Sequence, residues 1–335
     1  MLEDIAHFSD VPSQIEPESP VTRALEWTHY LDWPAVSLRD GDLELFVVPA
    51  IGGRLMGIRY RGEELSFVNA SLAGRMPGDD PDAWADLCGE WAFPLWGGGK
   101  TWVAPESRWP DGVPHRDLDS GAYKVLKTWS DERSMGIELE SPICEQSGLQ
   151  IFRRITLDAG TSRWSTLHRL TNRGSIAREC GIWEVLMLNR PARVDVAVDS
   201  TGYALHDVVA QIAGKGPIAD LCDTDIVQLH GAALRVECDR AVEFKLGIAH
   251  ATGEVCVTWP ASPGAGNDSA SGASGKARRY RRESAVTAGA EYAHGTAIEV
   301  FNAPTLPYFE VETHAPLARL KAEQSVEYLI NEWVE

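Results

Sequence analysis

The sequence predicts an all-β protein, an antiparallel sandwich with few short helices. Three observations carry that prediction: apolar residues recur at every second position, turn-forming residues punctuate the runs at short intervals, and long amphipathic helical patterns are hard to find. More than a dozen short strands with such punctuation, over roughly 300 residues, favour one large antiparallel domain over βαβ units.

The elements follow in order. Residues 1 to about 33 show no alternation and read as an irregular segment, with a short helix over 22–30 (TRALEWTHY). Residues 34–335 then read as a single sandwich domain. In LELFVVP, Leu43, Leu45 and Val47 share a face; in GAYKVLKTW, Tyr123, Val125, Lys127 and Trp129 do; in LQIFRRITL, Ile151, Ile155 and Leu157 do. AALRVEC, GEVCVTW, TAIEVFN, PYFEVET and QSVEYLINEWV repeat the habit. Asp40-Gly41, Arg61-Gly62, Asp158-Ala159-Gly160 and Asn172-Arg173-Gly174 supply the turns.

One insert, over about 260–285, breaks the pattern. Its Gly/Ser/Ala-rich first part is too poor in apolar side chains to order itself and reads as a flexible loop. Its basic end carries Lys276, Arg278, Arg279, Arg281 and Arg282, read either as solvated or as a flap meeting an anionic sugar derivative.

Composition narrows the function. A net charge of −18 over 335 residues argues against nucleic acid and anionic membrane as partners. Small neutral or polar ligands fit better. The N-terminus has neither a basic region nor an apolar core of a signal peptide, and no run is long and apolar enough to span a bilayer, so a cytoplasmic location is expected. Six scattered cysteines lack zinc-site spacing and are expected to be reduced thiols. The oligomeric state is not legible.

Residues 94–109, PLWGGGKTWVAPESRW, gather Trp96, Trp102 and Trp109 around three glycines and Lys100. Core packing beside a turn is one reading. A sugar site is the other, since indole faces stack on pyranose rings and glycine permits close backbone approach. GGGKT is not a phosphate-binding loop, because Pro94 stands where the pattern requires glycine and no helix follows. His115, Asp117 and Asp119 cluster nitrogen and oxygen donors, as an ion site or as partners within a turn. As a strand, PYFEVETHAP sends Tyr308, Glu310, Glu312 and His314 to one face. That face is either a solvated exterior or a sheet surface bearing a general base. His168 reads as a core residue or a catalyst, and Arg190 as a clamp for a ligand carboxylate or for a neighbouring acid.

Four stretches, in this order, are familiar: LELFVVPAIGGRLMGIRYRGEELSFVN, LWGGGKTWVAPESRW, LHRLTNRGSIARECGIWEV and YFEVETHAPLARLKAEQSVEY. They resemble the galactose mutarotase-like proteins of the aldose 1-epimerase superfamily, closest to an uncharacterised branch with GGR and GG-x-K-x-W motifs. The likeness covers about residues 34–335.

It implies a β-supersandwich that binds a small carbohydrate and isomerises it by acid–base catalysis without a cofactor or metal. It also implies that Glu312 is the base. The chain departs from the family where two histidines are expected, having Trp96 and Trp183. The acid role then falls to Lys100, His115, His168 or His314, with Arg54, Trp96, Trp102, Trp109, Asp119, Trp183, Glu184, Arg190, Glu310 and His314 as candidate substrate contacts. Two other readings stay open: elimination from a uronate by the same base, and carbohydrate binding without turnover. Trp96, Lys100, His115 and Glu312 are expected to meet in one pocket.

Overall fold

The computed structural model describes residues 23–199, 202–211, 221–222, 224–261 and 277–335. Their strands form two antiparallel sheets. The first runs, in spatial order, through Ala24–Tyr30, Trp33–Asp40, Leu43–Val48, Arg54–Tyr60, Gly99–Ala104, Arg178–Asn189, Tyr308–His314, Ile298–Asn302, Phe244–Ile248 and Val209–Gln211. The second runs through Val227–His230, Ala233–Cys238, Ala192–Val198, Ala251–Trp259, Arg278–Ser284, Ser325–Val334, Arg163–Asn172, Leu149–Asp158, Ser134–Glu140 and Lys124–Ser130. The inward faces of both build one apolar core, from Leu43, Leu45 and Val47 to Ile151, Ile155 and Leu157, as alternation requires. No helix among the described residues is long and apolar enough to cross a membrane.

The first sheet is also covered on its outer face. Tyr30, Trp33, Phe46, Val48 and Met56 pack there against Leu72, Leu87 and Trp96. Leu87 belongs to the helix Pro81–Cys88, which Asp80 caps by accepting from the Asp82 N–H, with Pro81 in the first turn. The central strands of this sheet are thus buried on both sides.

Four readings of the sequence are corrected. Residues 24–30 form a strand, not a helix, paired with residues 33–40 through a turn in which Leu31 and Asp32 both have positive φ, 47° and 68°. Neither residue announces such a turn, which glycine or asparagine usually makes. Second, the alternation through 121–129 breaks at a bulge between Val125 and Lys127, so Lys127 and Trp129 turn away from the core that Tyr123 and Val125 reach. Third, the basic end of the insert is the strand Arg278–Ser284. Arg279 and Arg281 meet Glu335, Arg278 meets Glu63 and Arg282 points inward, so they form no free cationic flap. Lys276 and the rest of the insert, 262–276, lie outside the described residues, as does the N-terminal segment 1–22. Fourth, Glu184 does not reach the outer face of its sheet. It faces the other sheet and pairs there with Arg282.

That pair belongs to a polar layer inside the sandwich. Glu332 accepts from the Tyr280 hydroxyl at 2.6 Å and from Thr166 at 3.1 Å. Arg153 donates to the carbonyls of Gly53 and Gly99. His168 is wholly buried, its Nδ1 2.9 Å from the Thr101 hydroxyl. Burial, then Arg153 and Arg282, push its pKa well below the ordinary histidine value. His168 thus sits neutral in the core between the sheets.

A histidine held neutral in the fold but free to protonate when unfolded removes stability as pH falls through the unfolded value near 6.5, because the unfolded chain then binds the extra proton. Urea titrations between pH 5 and 7 should therefore show wild type losing up to about 1.4 kcal/mol per pH unit more than His168→Gln. Parallel slopes would contradict this placement.

Candidate functional site

The candidate site lies on the outer face of the first sheet, and its residues follow from register. Trp102, Trp183 and His314 are cross-strand partners in one row. Lys100, Val185, Glu312 and Glu299 form the next. Met187, Glu310, Phe301 and Lys245 form the third. With a side-chain period of two, every other residue on five adjacent strands faces this surface.

The three rows close into an ion network under aromatic rings. Lys100 Nζ lies 3.4 Å from Glu310 Oε1 and 3.9 Å from the Trp102 ring centroid. Lys245 Nζ bridges two carboxylates, 2.9 Å from Glu312 Oε2 and 2.9 Å from Glu299 Oε2. The Trp183 indole N–H donates to the same Glu312 oxygen at 2.7 Å, while Glu312 Oε1 is buried without a hydrogen-bond partner. Glu299 Oε1 faces His294 Nδ1 at 2.8 Å and His314 Nε2 at 3.2 Å. Glu312, Glu299 and His314 are each 0% exposed, so these charges are matched by one another and not by water.

Burial pushes the Glu312 carboxyl up to about 7 against the pull of Lys245, with Glu299 and Glu310 adding to the rise. Burial also lowers Lys100, partly offset by Glu310. Lys245 is raised, because Glu312 and Glu299 outweigh its burial. His314, Lys245 and the His294 hydrogen bond hold Glu299 well below the carboxylate range against its burial. Glu299 raises His294, against burial, while burial lowers His314.

The rings form a wall. Trp109 stacks on Trp183, centroids 5.6 Å apart and planes 19° from parallel, and Trp102 meets both edge-on. Phe93 and Ala293 pack against this group. Phe93, Trp109, His294 and Phe301 are the partly exposed members of the assembly and form its rim.

The structure brings together Lys100, Trp102, Trp109, Trp183, Glu310, Glu312 and His314, and separates the other candidates. Trp96 is 0% exposed, packs edge-on to Trp33 and donates to Ser120, so it presents no stacking face. Its parity is lost at Gly97 and Gly98, whose φ values are 104° and 66°. A Cβ there would approach the backbone oxygens of Phe67 and Leu55 to 2.3 and 2.7 Å, so these glycines serve chain packing instead of ligand approach. Arg54 and Asp119 form a buried ion pair at 2.7 Å. Arg54 also donates to the Gly97 carbonyl, and Asp119 accepts from the Trp102 indole at 2.7 Å. The pair supports the site from beneath, and Arg54, with Trp102 and Ser120, takes up the Asp119 oxygens that a metal would need.

His115 is elsewhere, lining a cavity of about 290 Å³ with Arg108, Gln146 and Arg178 at the end of the sandwich. Trp109 borders both places. Arg190 donates to the carbonyls of Arg240, Ala303 and Leu306 and pairs with no acid among the described residues. Sequence reading missed Lys245, Glu299 and His294. The first two had a signal, a single charge set in the otherwise uncharged strands FKLGI and IEVFN; His294 stands in a loop and had none.

No family model matches the sequence, and no curated protein matches it. Solved structures do. A galactose mutarotase-like protein from Clostridium acetobutylicum superposes with a TM-score of 0.56 at 10% identity, covering 93% of this chain and 98% of its own. One from Lactobacillus casei gives 0.52 at 10% identity, covering 90% and 100%. The fold is the galactose mutarotase-like one. A Synechocystis protein shares it, with a TM-score of 0.56 at 10% identity over 92% of this chain and 98% of its own. This mutarotase-like sandwich places the outer-face cluster at mid-sheet.

Removing one partner of the buried Arg54–Asp119 pair strands the other charge, which costs about 3–5 kcal/mol. Arg54→Ala should lower the urea midpoint accordingly, whereas a loss within about 1 kcal/mol would show a pair that water already screens.

Proposed function

We propose that the protein is a carbohydrate-active, mutarotase-like isomerase whose acid–base chemistry runs on the outer face of the first sheet, with Glu312 as proton acceptor. The observation that carries this is a fully buried carboxylate with one oxygen pinned by Trp183 and Lys245 and the other without a partner. Such a group is held in place and still has a lone pair to spend. The indoles beside it give an apolar wall suited to a sugar face.

In this reading Glu312 takes the proton from the anomeric hydroxyl while a donor protonates the ring oxygen. The bond between the anomeric carbon and the ring oxygen breaks, the anomeric carbon becomes a carbonyl, and closure on its opposite face gives the other anomer. Of the candidate donors, Lys100 and His314 lie in the cluster while His115 and His168 are elsewhere, and Lys100 is favoured because His314 Nε2 faces Glu299. Entry requires the rim side chains Phe93, Trp109 and His294 to swing aside. The mutarotase-like description belongs to the Clostridium acetobutylicum and Lactobacillus casei proteins and enters here only as support for a carbohydrate ligand.

Elimination from a uronate would use the same base, with Lys100 as the cation left to steady an enolate once Arg190 is committed to carbonyls. The complete burial of Glu312 favours the other alternative, binding without turnover. Glu312→Gln separates them. Anomer exchange across a panel of aldoses, followed by polarimetry, should fall about 10²–10⁴-fold while calorimetric sugar affinity stays within a few fold. Sugar binding by wild type with no acceleration of exchange or elimination would leave a binding protein.

A further inference from the structure

We propose that His294, Glu299 and His314 form a binding site for a divalent first-row cation, zinc foremost, at one end of the ion network. The three side chains each offer a donor atom, and these atoms lie within 4.8 Å of one another. Glu299 Oε1 is 2.8 Å from His294 Nδ1 and 3.2 Å from His314 Nε2. Ligand atoms about 2.0–2.2 Å from a tetrahedral zinc are separated by roughly 3.3 Å, so modest side-chain adjustment would close the triangle around an ion. Two imidazoles and one carboxylate are a donor set that suits zinc or iron(II) and leaves positions open for a ligand oxygen.

A second observation points the same way. His314 is 0% exposed, and although its Nε2 is close to Glu299 Oε1, the contact lacks hydrogen-bond alignment. A buried ring nitrogen aimed into the cluster without a bonding partner is the state that an ion would satisfy. The surroundings fit as well. Lys245 holds the other oxygen of Glu299 at 2.9 Å, as outer partners of metal-bound carboxylates do. Trp183 stacks on His314, 5.2 Å between centroids, and meets His294 edge-on at 4.9 Å, fixing both rings in an apolar shell.

This inference stands apart from the isomerase reading, because none of its observations requires a sugar. The full chain, stripped with a chelator and dialysed, is titrated with Zn²⁺ by calorimetry and with Co²⁺ by visible absorption. One equivalent should bind, with the absorption bands of Co²⁺ held by nitrogen and oxygen. His294→Gln and His314→Gln should each weaken binding beyond the roughly 100-fold that loss of an outer partner costs. Circular dichroism melts check folding, and His294, on the rim, is the safer of the two changes. Glu312→Gln should still bind one equivalent, so a failed isomerase reading leaves this result untouched. The proposal falls if wild type shows no saturable binding, or if the folded His294→Gln variant and the double variant bind as wild type does.

Discussion

The central strands of the first sheet have no wet side, and that constraint shapes everything around them. In an antiparallel sheet with one face in water, alternation sends charges outward at little cost. Here the outward positions on Gly99–Ala104, Arg178–Asn189, Tyr308–His314, Ile298–Asn302 and Phe244–Ile248 are themselves buried, apart from Phe301 at the rim and the two ends of Arg178–Asn189. A lone charge in such a place costs several kcal/mol, so each must find its opposite on a neighbouring strand. Lys100 with Glu310, and Lys245 between Glu299 and Glu312, are that solution. The same rule governs the inner face, where Glu184 survives between the sheets because Arg282 reaches it.

This explains what was legible in the sequence. Parity within a strand is local information, so Tyr308, Glu310, Glu312 and His314 could be put on one face from seven residues of text. The fold class followed from the same period repeated along the chain. Pairing between strands is not local. Nothing in FKLGI says that Lys245 will meet Glu312, since Glu312 lies two strands away in the sheet and 67 positions on in the sequence. Nor can parity be carried through a turn. Trp96 and Trp102 both end on the outer face, but two left-handed glycines redirect the chain between them, and Trp96 packs among Trp33 and Met56 instead of beside Trp102.

The misread segments fail for related reasons. The strand Ala24–Tyr30 is an edge strand whose burial follows no strict alternation, so neither a two-residue nor a helical period marks it. The arginines of 278–282 looked like the tail of a polar loop because charge dominated the local composition. Yet Tyr280 and Arg282 alternate inward and are fully buried, paired with Glu332 and Glu184. An arginine counted as surface can be interior when the partner that neutralises it comes from another sheet.

A shared ammonium makes the network more than a set of fixed pairs. Lys245 stands 2.9 Å from one oxygen of Glu299 and 2.9 Å from one of Glu312, and it also lies over the Trp183 ring, 4.6 Å from its centroid. When Glu312 is ionised, the ammonium divides its attraction between two carboxylates that would otherwise repel each other. When Glu312 accepts a proton, the ammonium keeps its pairing with Glu299 and the repulsion between the two carboxylates is relieved, which offsets part of the attraction that is lost. Bridging ties the protonation of Glu312 to the state of Glu299 at the other end of the same lysine.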